Sequence, residues 1–251
     1  MENKYTFPTE QIELPSKGLG LYPDENPLSL GVIDLSYMTA KHEDILTNPN
    51  YIKNGTVVDK LLEALIVTKI DFNDLLIGDK DAIMIASRIL AYGSEYEFRY
   101  FREDTNDYDK FMYDLSLLDV KIVDPTQYKG GNEFDFHLPK ANVDVKFKLL
   151  THRDERDIEN ELKGLKKISP NVTYDATTRL KYIITEVSGS RDRKTIRDFV
   201  DKNLLSLDSK MLRKKYNEVS VGIDMNITLT KGDYIKEGVS LPLDVTFFWP
   251  E

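Results

Sequence analysis

The sequence predicts an α+β fold made of two related halves, each with several helices packed beside a strand and an antiparallel β-hairpin. Three observations predict it. Apolar residues recur at helical spacing in some stretches and at every second position in others. The two regimes alternate twice along the chain in the same order. The 251 residues are 41% hydrophobic and 31% charged, enough apolar material for a packed core.

The first thirty residues carry Pro8, Pro15, Gly18, Gly20, Pro23 and Pro27. Proline lacks a donor N–H and disfavours helix at the residue before it, so 1–30 reads as an extended arm. Its apolar residues Leu14, Leu19, Leu21 and Tyr22 cannot form a self-sufficient helix there and need another surface. The first half, 31–125, opens with a short strand from Gly31 to Tyr37. Thr39 is placed as a helix N-cap and Pro49 as the stop. Val58, Leu61, Leu62, Leu65 and Ile66 share one face of a helix over Thr56 to Lys69. A short helical piece follows from Asp71 to Ile77. Asp79 is assigned as the cap of a buried helix running to Ala91 and closed by Gly93.

The period then changes to two. Tyr96, Phe98 and Tyr100 alternate with charged residues, as do Phe111, Tyr113 and Leu115, and the polar run Glu103 to Asp107 between them marks a hairpin loop. After Gly130-Gly131 the second half, 134–251, repeats the pattern. Val143, Val145, Phe147 and Leu149 read as a half-buried strand. Four helices follow, carrying Ile158, Leu162 and Leu165; Leu180, Ile183, Ile184 and Val187; Ile196, Phe199 and Val200; and Leu207, Met211, Leu212 and Tyr216. A last hairpin is expected to pair Val221–Leu229 with Leu241–Trp249. Both halves share a Leu-Pro pair (Leu14-Pro15, Leu138-Pro139), a Thr-x-x-x-Glu helix start (Thr39 and Glu43, Thr151 and Glu155) and a Leu-Leu-x-x-Asp helix start (Leu75-Leu76 with Asp79, Leu204-Leu205 with Asp208).

The chemistry is sparse. The net charge is −9, which makes the chain a poor candidate for a general nucleic-acid binder, whose affinity depends on neutralising phosphates. No apolar run is long enough to cross a bilayer, and Met1-Glu2-Asn3-Lys4-Tyr5 lacks the pattern of a secretory signal. With zero Cys and only His42, His137 and His152, thiol catalysis and thiolate metal sites are excluded. Gly18-Leu19-Gly20 lacks the third glycine of a dinucleotide loop, and no phosphate loop or nucleophile elbow is present. The acidic runs at His42-Glu43-Asp44 and His152-Arg153-Asp154-Glu155 read as first-turn acids favoured by the helix dipole. No cofactor, small molecule, nucleic acid or membrane is expected. The chain has fourteen Tyr and eleven Phe, with rings concentrated at Tyr96 to Tyr113 and at Phe247-Phe248-Trp249, and a two-stranded hairpin cannot bury both faces alone. Packing on the chain's own helices and packing on a partner both remain open. The residues assigned to partner binding are Leu14, Leu19, Leu21, Tyr22, Tyr100, Phe101, Phe248 and Trp249.

Several stretches resemble one family. They are Leu14-Pro15-Ser16-Lys17-Gly18, Tyr37-Met38-Thr39-Ala40-Lys41 with Glu43-Asp44-Ile45-Leu46, Gly78-Asp79-Lys80 with Ala86-Ser87-Arg88-Ile89, Tyr92-Gly93, and Phe247-Phe248-Trp249-Pro250. Together they resemble the baseplate hub proteins of T-even-type contractile-tailed bacteriophages, most closely between Leu14 and Tyr100. The resemblance implies a non-enzymatic tail protein acting in baseplate hub assembly through protein contacts. It would be located in the virion baseplate, in the host cytoplasm during assembly, or in both. Its partners would be other hub proteins, with the tape-measure protein a further candidate. The alternatives are a transient assembly chaperone absent from the mature virion and, more remotely, a hub-associated hydrolase. No catalytic or metal-binding residue is carried over. If the arm binds partners, a chain lacking residues 1–22 is expected to fold but to fail in assembly.

Overall fold

The computed structural model describes residues 8–169, 171, 173–243 and 245–248. It is an α+β fold with eight helices and four small antiparallel sheets among these residues. In the first half β1 (Thr9–Glu13) pairs with β2 (Val32–Ser36), with Ile12 opposite Ile33. Helices α1 (Ala40–Leu46), α2 (Pro49–Asn54) and α3 (Val57–Leu65) follow, then a 3-10 turn at Phe72–Asp74 and the long helix α4 (Ile77–Tyr92). Strands β3 (Glu95–Arg102) and β4 (Asp107–Asp114) form the first hairpin. The second half begins with β5 (Phe134–Leu138) and β6 (Val143–Phe147), then α5 (His152–Ile168) and α6 (Asp175–Ile183). Strand β7 (Ile184–Val187) joins β6, and α7 (Arg193–Lys202), α8 (Ser206–Val219) and the hairpin β8 (Asn226–Lys231) and β9 (Tyr234–Ser240) complete it.

The order of elements repeats. Each half runs from two paired strands through helices to a short nine-residue helix, a return to the second strand, a long helix and a hairpin. The return differs in length. Ile66 makes a single bridge to Leu35, whereas Ile184–Val187 form a full strand on β6. Where the second half has α7, the first has only the 3-10 turn at Phe72–Asp74.

Local chemistry explains the elements and corrects several expectations. Thr39 does cap α1, with its backbone N–H donating to His42 Nδ1 at 2.9 Å. Pro49 does more than end α1: it opens α2 as its first residue, and the Asn48 side chain accepts from Asn50 and Tyr51. Helix α3 stops at Leu65 rather than Lys69, because Ile66 turns extended to reach Leu35 and Val67 N–H donates to Asp34 O. The helical piece expected from Asp71 to Ile77 is only the three-residue 3-10 turn. The helix expected to carry Ile184 and Val187 ends at Ile183, since both belong to β7. The second limb of the last hairpin is β9, Tyr234–Ser240, and not Leu241–Trp249; Val245–Phe248 is a 3-10 turn. The arm 1–30 is no separate unit, because β1 is part of the first half's sheet.

The halves meet through backbone. Ile77 N–H donates to Leu150 O at 3.1 Å and His152 N–H to Leu75 O at 2.7 Å, a small antiparallel bridge that seats the start of α5 on the start of α4. One residue on, Gly78 lies against the Val221–Gly222 backbone. A Cβ added at Gly78 would sit 2.6 Å from the Val221 carbonyl carbon and 2.8 Å from Gly222 Cα. Backbone cannot yield as a flexible side chain can. Gly78→Ala should therefore destabilise the protein by about 1–3 kcal/mol. Gly164→Ala, in an exposed turn of α5 with nothing near its Cβ position, should stabilise it by about 0.5–1 kcal/mol. Urea unfolding of both variants checks the pair. Equal effects at the two positions would contradict the close approach.

Candidate interaction surfaces

Leu14, Leu21 and Tyr22 are buried in this chain's own core, and Leu19 packs against it half-buried. The anchor is Asp79, which is fully buried in the first turn of α4. Asp79 is not that helix's cap; Leu76 occupies the N-cap position and no side chain caps it. Instead Asp79 Oδ1 accepts from Ser16 N–H at 3.0 Å, and Oδ2 accepts from the Tyr22 hydroxyl at 2.6 Å. The same hydroxyl accepts from Leu76 N–H at 2.8 Å, satisfying an orphan donor at the helix start. Burial pushes the Asp79 carboxyl above its usual range, against the lowering effect of the Tyr22 and Ser16 hydrogen bonds. Burial, with the Asp79 charge second, pushes the Tyr22 phenol far above its own.

The second half repeats the device. Asp208, fully buried in the first turn of α8, accepts from Lys140 N–H through Oδ1 and from Ala141 N–H through Oδ2, both at 2.8 Å. In each half a Leu-Pro turn hangs its next backbone N–H on an aspartate three residues inside the long helix. The arm is thus held by its own chain, and a partner cannot reach Leu14, Leu21 or Tyr22 in this fold. Truncation at residue 22 would remove β1 and a piece of the core, contrary to the expectation that such a chain still folds.

The hairpin aromatics divide by face. Tyr96, Phe98 and Phe111 are buried, and Tyr100 is half-buried edge-on to Phe111. They pack on the second half's hairpin and the 3-10 turn after it. Tyr96 sits edge-on to Phe247, its hydroxyl donates to Pro242 O at 2.9 Å, and Phe111 meets Tyr234 with ring centroids 6.0 Å apart. Phe248 is buried as well, so of the expected partner-binding rings it too belongs to the core. Trp249 lies outside the described residues. Arg88 locks this corner: its Nε donates to Phe247 O, Nη1 to Gly93 O and Nη2 to Glu95 O, at 2.8, 2.9 and 3.2 Å.

Phe101 is the one expected contact residue among those described that stands exposed. On the outer face of the hairpin it pairs with Tyr108, ring centroids 5.3 Å apart, with Met112 further along β4 and Arg99 over the Tyr108 ring. Alternation along β4 puts Tyr108 and Met112 on the face opposite Phe111, a signal present in the sequence but overlooked. A second exposed apolar group, Leu205, Leu207 and Met211, lies on α8. Periodicity assigned Leu207 and Met211 to the core, which the structure corrects.

Between the halves lies a groove of about 200 Å³ lined by Leu76, Asp81, Lys121, Leu150, Tyr216 and Val221, among others. Burial pushes the Asp81 carboxyl up to about 6. Among the described residues no group of three or more His, Asp or Glu side chains is placed to hold a metal ion, and no helix is long and apolar enough to cross a membrane. Comparison with family models, curated proteins and solved structures returned no match to this chain.

His152 is the titratable group at the junction. Its Nδ1 lies 3.2 Å from Lys80 Nζ and its Nε2 3.6 Å from Asp59, while its ring sits edge-on to Phe72. Burial, then the Lys80 charge, lowers its pKa despite the opposing effect of Asp59. The unfolded chain therefore takes up the proton first as pH falls below about 6.5, and the folded state loses stability there. Wild-type stability should drop between about pH 7.5 and pH 5.5 more than that of His152→Gln, which cannot titrate. Urea midpoints across that range test it, and parallel curves for the two proteins would contradict it.

Proposed function

We propose that this chain is a non-enzymatic protein of the contractile phage tail that acts in baseplate hub assembly, as a hub component or an assembly factor. The observation that carries the reading is the resemblance between Leu14 and Tyr100, centred on Tyr37-Met38-Thr39-Ala40-Lys41. Its separate stretches are joined in space. Ser16 of the Leu-Pro segment donates to Asp79 of the Gly-Asp-Lys segment, and Arg88 binds Gly93 O and Phe247 O. Residues far apart in sequence that form one set of buried contacts support a shared fold rather than scattered coincidence.

The face available for partners is the outer surface of the first hairpin, with Phe101, Tyr108 and Met112. Aromatic and Met side chains of this kind are enriched at protein interfaces. The groove between the halves is lined by one carboxylate, Asp81, where glycoside hydrolysis uses two, which favours a binding role over a hydrolytic one.

Mass spectrometry of mature particles, combined with complementation of a phage lacking the protein, tests the reading. Peptides of this chain in purified tails mark a hub component. Absence from particles whose assembly still depends on the chain marks a transient chaperone for the tape-measure or another hub protein. Absence together with normal tails in the deficient phage would overturn the proposal. Phe101→Ala with Tyr108→Ala should leave the fold intact and weaken the hub contact by roughly tenfold or more, since each buried ring contributes about 1.5–3 kcal/mol.

A further inference from the structure

The contact between the two halves has an unused counterpart on each half, at the start of α8 and at the start of α1. Aligning the buried aspartates Asp79 and Asp208 places Leu76 opposite Leu205, Gly78 opposite Leu207, Asp81 opposite Lys210 and Ala82 opposite Met211. The α4 set is covered: Leu76 is 2% and Ala82 7% exposed, and Gly78 touches the second half's backbone. The α8 set is open, with Leu205 at 44%, Leu207 at 53% and Met211 at 40%. The same holds for what docks there. Leu150 and His152, at the start of α5, are buried on α4. Their equivalents at the start of α1, Met38 and Ala40, are half-buried and exposed.

We propose that a second copy of this chain occupies the open α8 face, docking the start of its α1 there as α5 docks on α4. The backbone groups are available for the same bridge. Ser206 and Ala40 are first residues of their helices, and their N–H groups have no intrahelical partner. They stand where Ile77 and His152 donate across the internal contact. Charge supports the copy as occupant. Inside the chain Asp81 lies near Lys80 and Lys121, and of the residues at the start of α5 it senses the like charge of Glu155. Between copies the equivalent pair is Lys210 and Glu43, with Asp44 beside Glu43 and Arg213 and Lys214 further along α8. Leu207 replaces Gly78, so the copies stand further apart than the halves do, with the Leu207 side chain filling the gap. The contact joins two different faces, so it is heterologous and builds a ring or a filament rather than a closed two-fold dimer. The inference does not rest on the baseplate reading, since it concerns the purified chain alone.

Sedimentation equilibrium tests it. Wild-type mass should rise with concentration above that of the monomer. Leu207→Asp, at an exposed position, should stay monomeric with an unchanged melting temperature, and so should Ala40→Trp, which blocks the other face. An equimolar mixture of these two variants should form one-to-one dimers, because each keeps one intact face. Glu43→Lys should weaken association about two- to fivefold, and adding Lys210→Glu should restore it. A wild-type chain that stays monomeric up to about 1 mM, a Leu207→Asp variant that associates normally, or a mixture that does not dimerise would each overturn the proposal.

Discussion

A carboxylate taken out of water must be surrounded by donors, and this fold is arranged around two of them. Asp79 and Asp208 are both fully buried, and both accept from backbone N–H groups that follow a Leu-Pro turn, Asp208 through both oxygens and Asp79 through Oδ1. Proline makes such a turn stiff, and the N–H that follows it, once taken out of water, needs a partner. The aspartate supplies it and so fixes where the strand before the turn lies relative to the long helix. In the first half Tyr22 extends the network by one step, bridging Asp79 and the Leu76 N–H. The chain's opening segment, rich in proline and glycine, is thereby built into the core.

From that anchor the junction between halves follows. Holding the start of α4 leaves Leu75 O and Ile77 N–H facing outward, where Leu150 and His152 complete the bridge. Gly78 then permits backbone-to-backbone approach, and Arg88, three turns further along α4, ties down the 3-10 turn at Val245–Phe248 through Phe247 O. One helix thus carries the arm and the second half on its first turn and the closing turn about three turns further on.

Much of this was legible in the sequence. Helices α3, α5 and α7 and the first hairpin show their periodicity openly, and the repeated Leu-Pro and Leu-Leu-x-x-Asp patterns point to the two halves. Other features depend on tertiary pairing. Ile66, Ile184 and Val187 continue a helical pattern, and only β2 and β6 turn them extended. Strand β1 is exposed on both faces apart from Ile12, which packs on the core, so it has no alternation to read and depends mainly on its main-chain pairing with β2. Asp79 matched a cap because aspartate favours helix starts; its burial against Ser16 and Tyr22 has no local signature. Nor can sequence tell whether Leu21, Tyr22 and Phe248 fill a partner's surface or their own core. Burial answers that for each of them, and leaves Phe101 with its neighbour Tyr108 facing outward.

The stretches that resemble the baseplate hub family include those that hold the fold together through Asp79 and Arg88, while Phe101, Tyr108 and Met112 on the outer hairpin face and Leu205, Leu207 and Met211 at the start of α8 stand exposed. The central claim is that the two buried aspartates clamp the Leu-Pro turns. Native-state amide hydrogen exchange at Ser16, Lys140 and Ala141 tests it most directly. These three N–H groups lie in turns, where exchange is ordinarily fast. If the carboxylates hold them, they will exchange only through global unfolding, at the rate of the core amides of α4. Exchange as fast as that of the exposed loop between β3 and β4 would contradict the clamp.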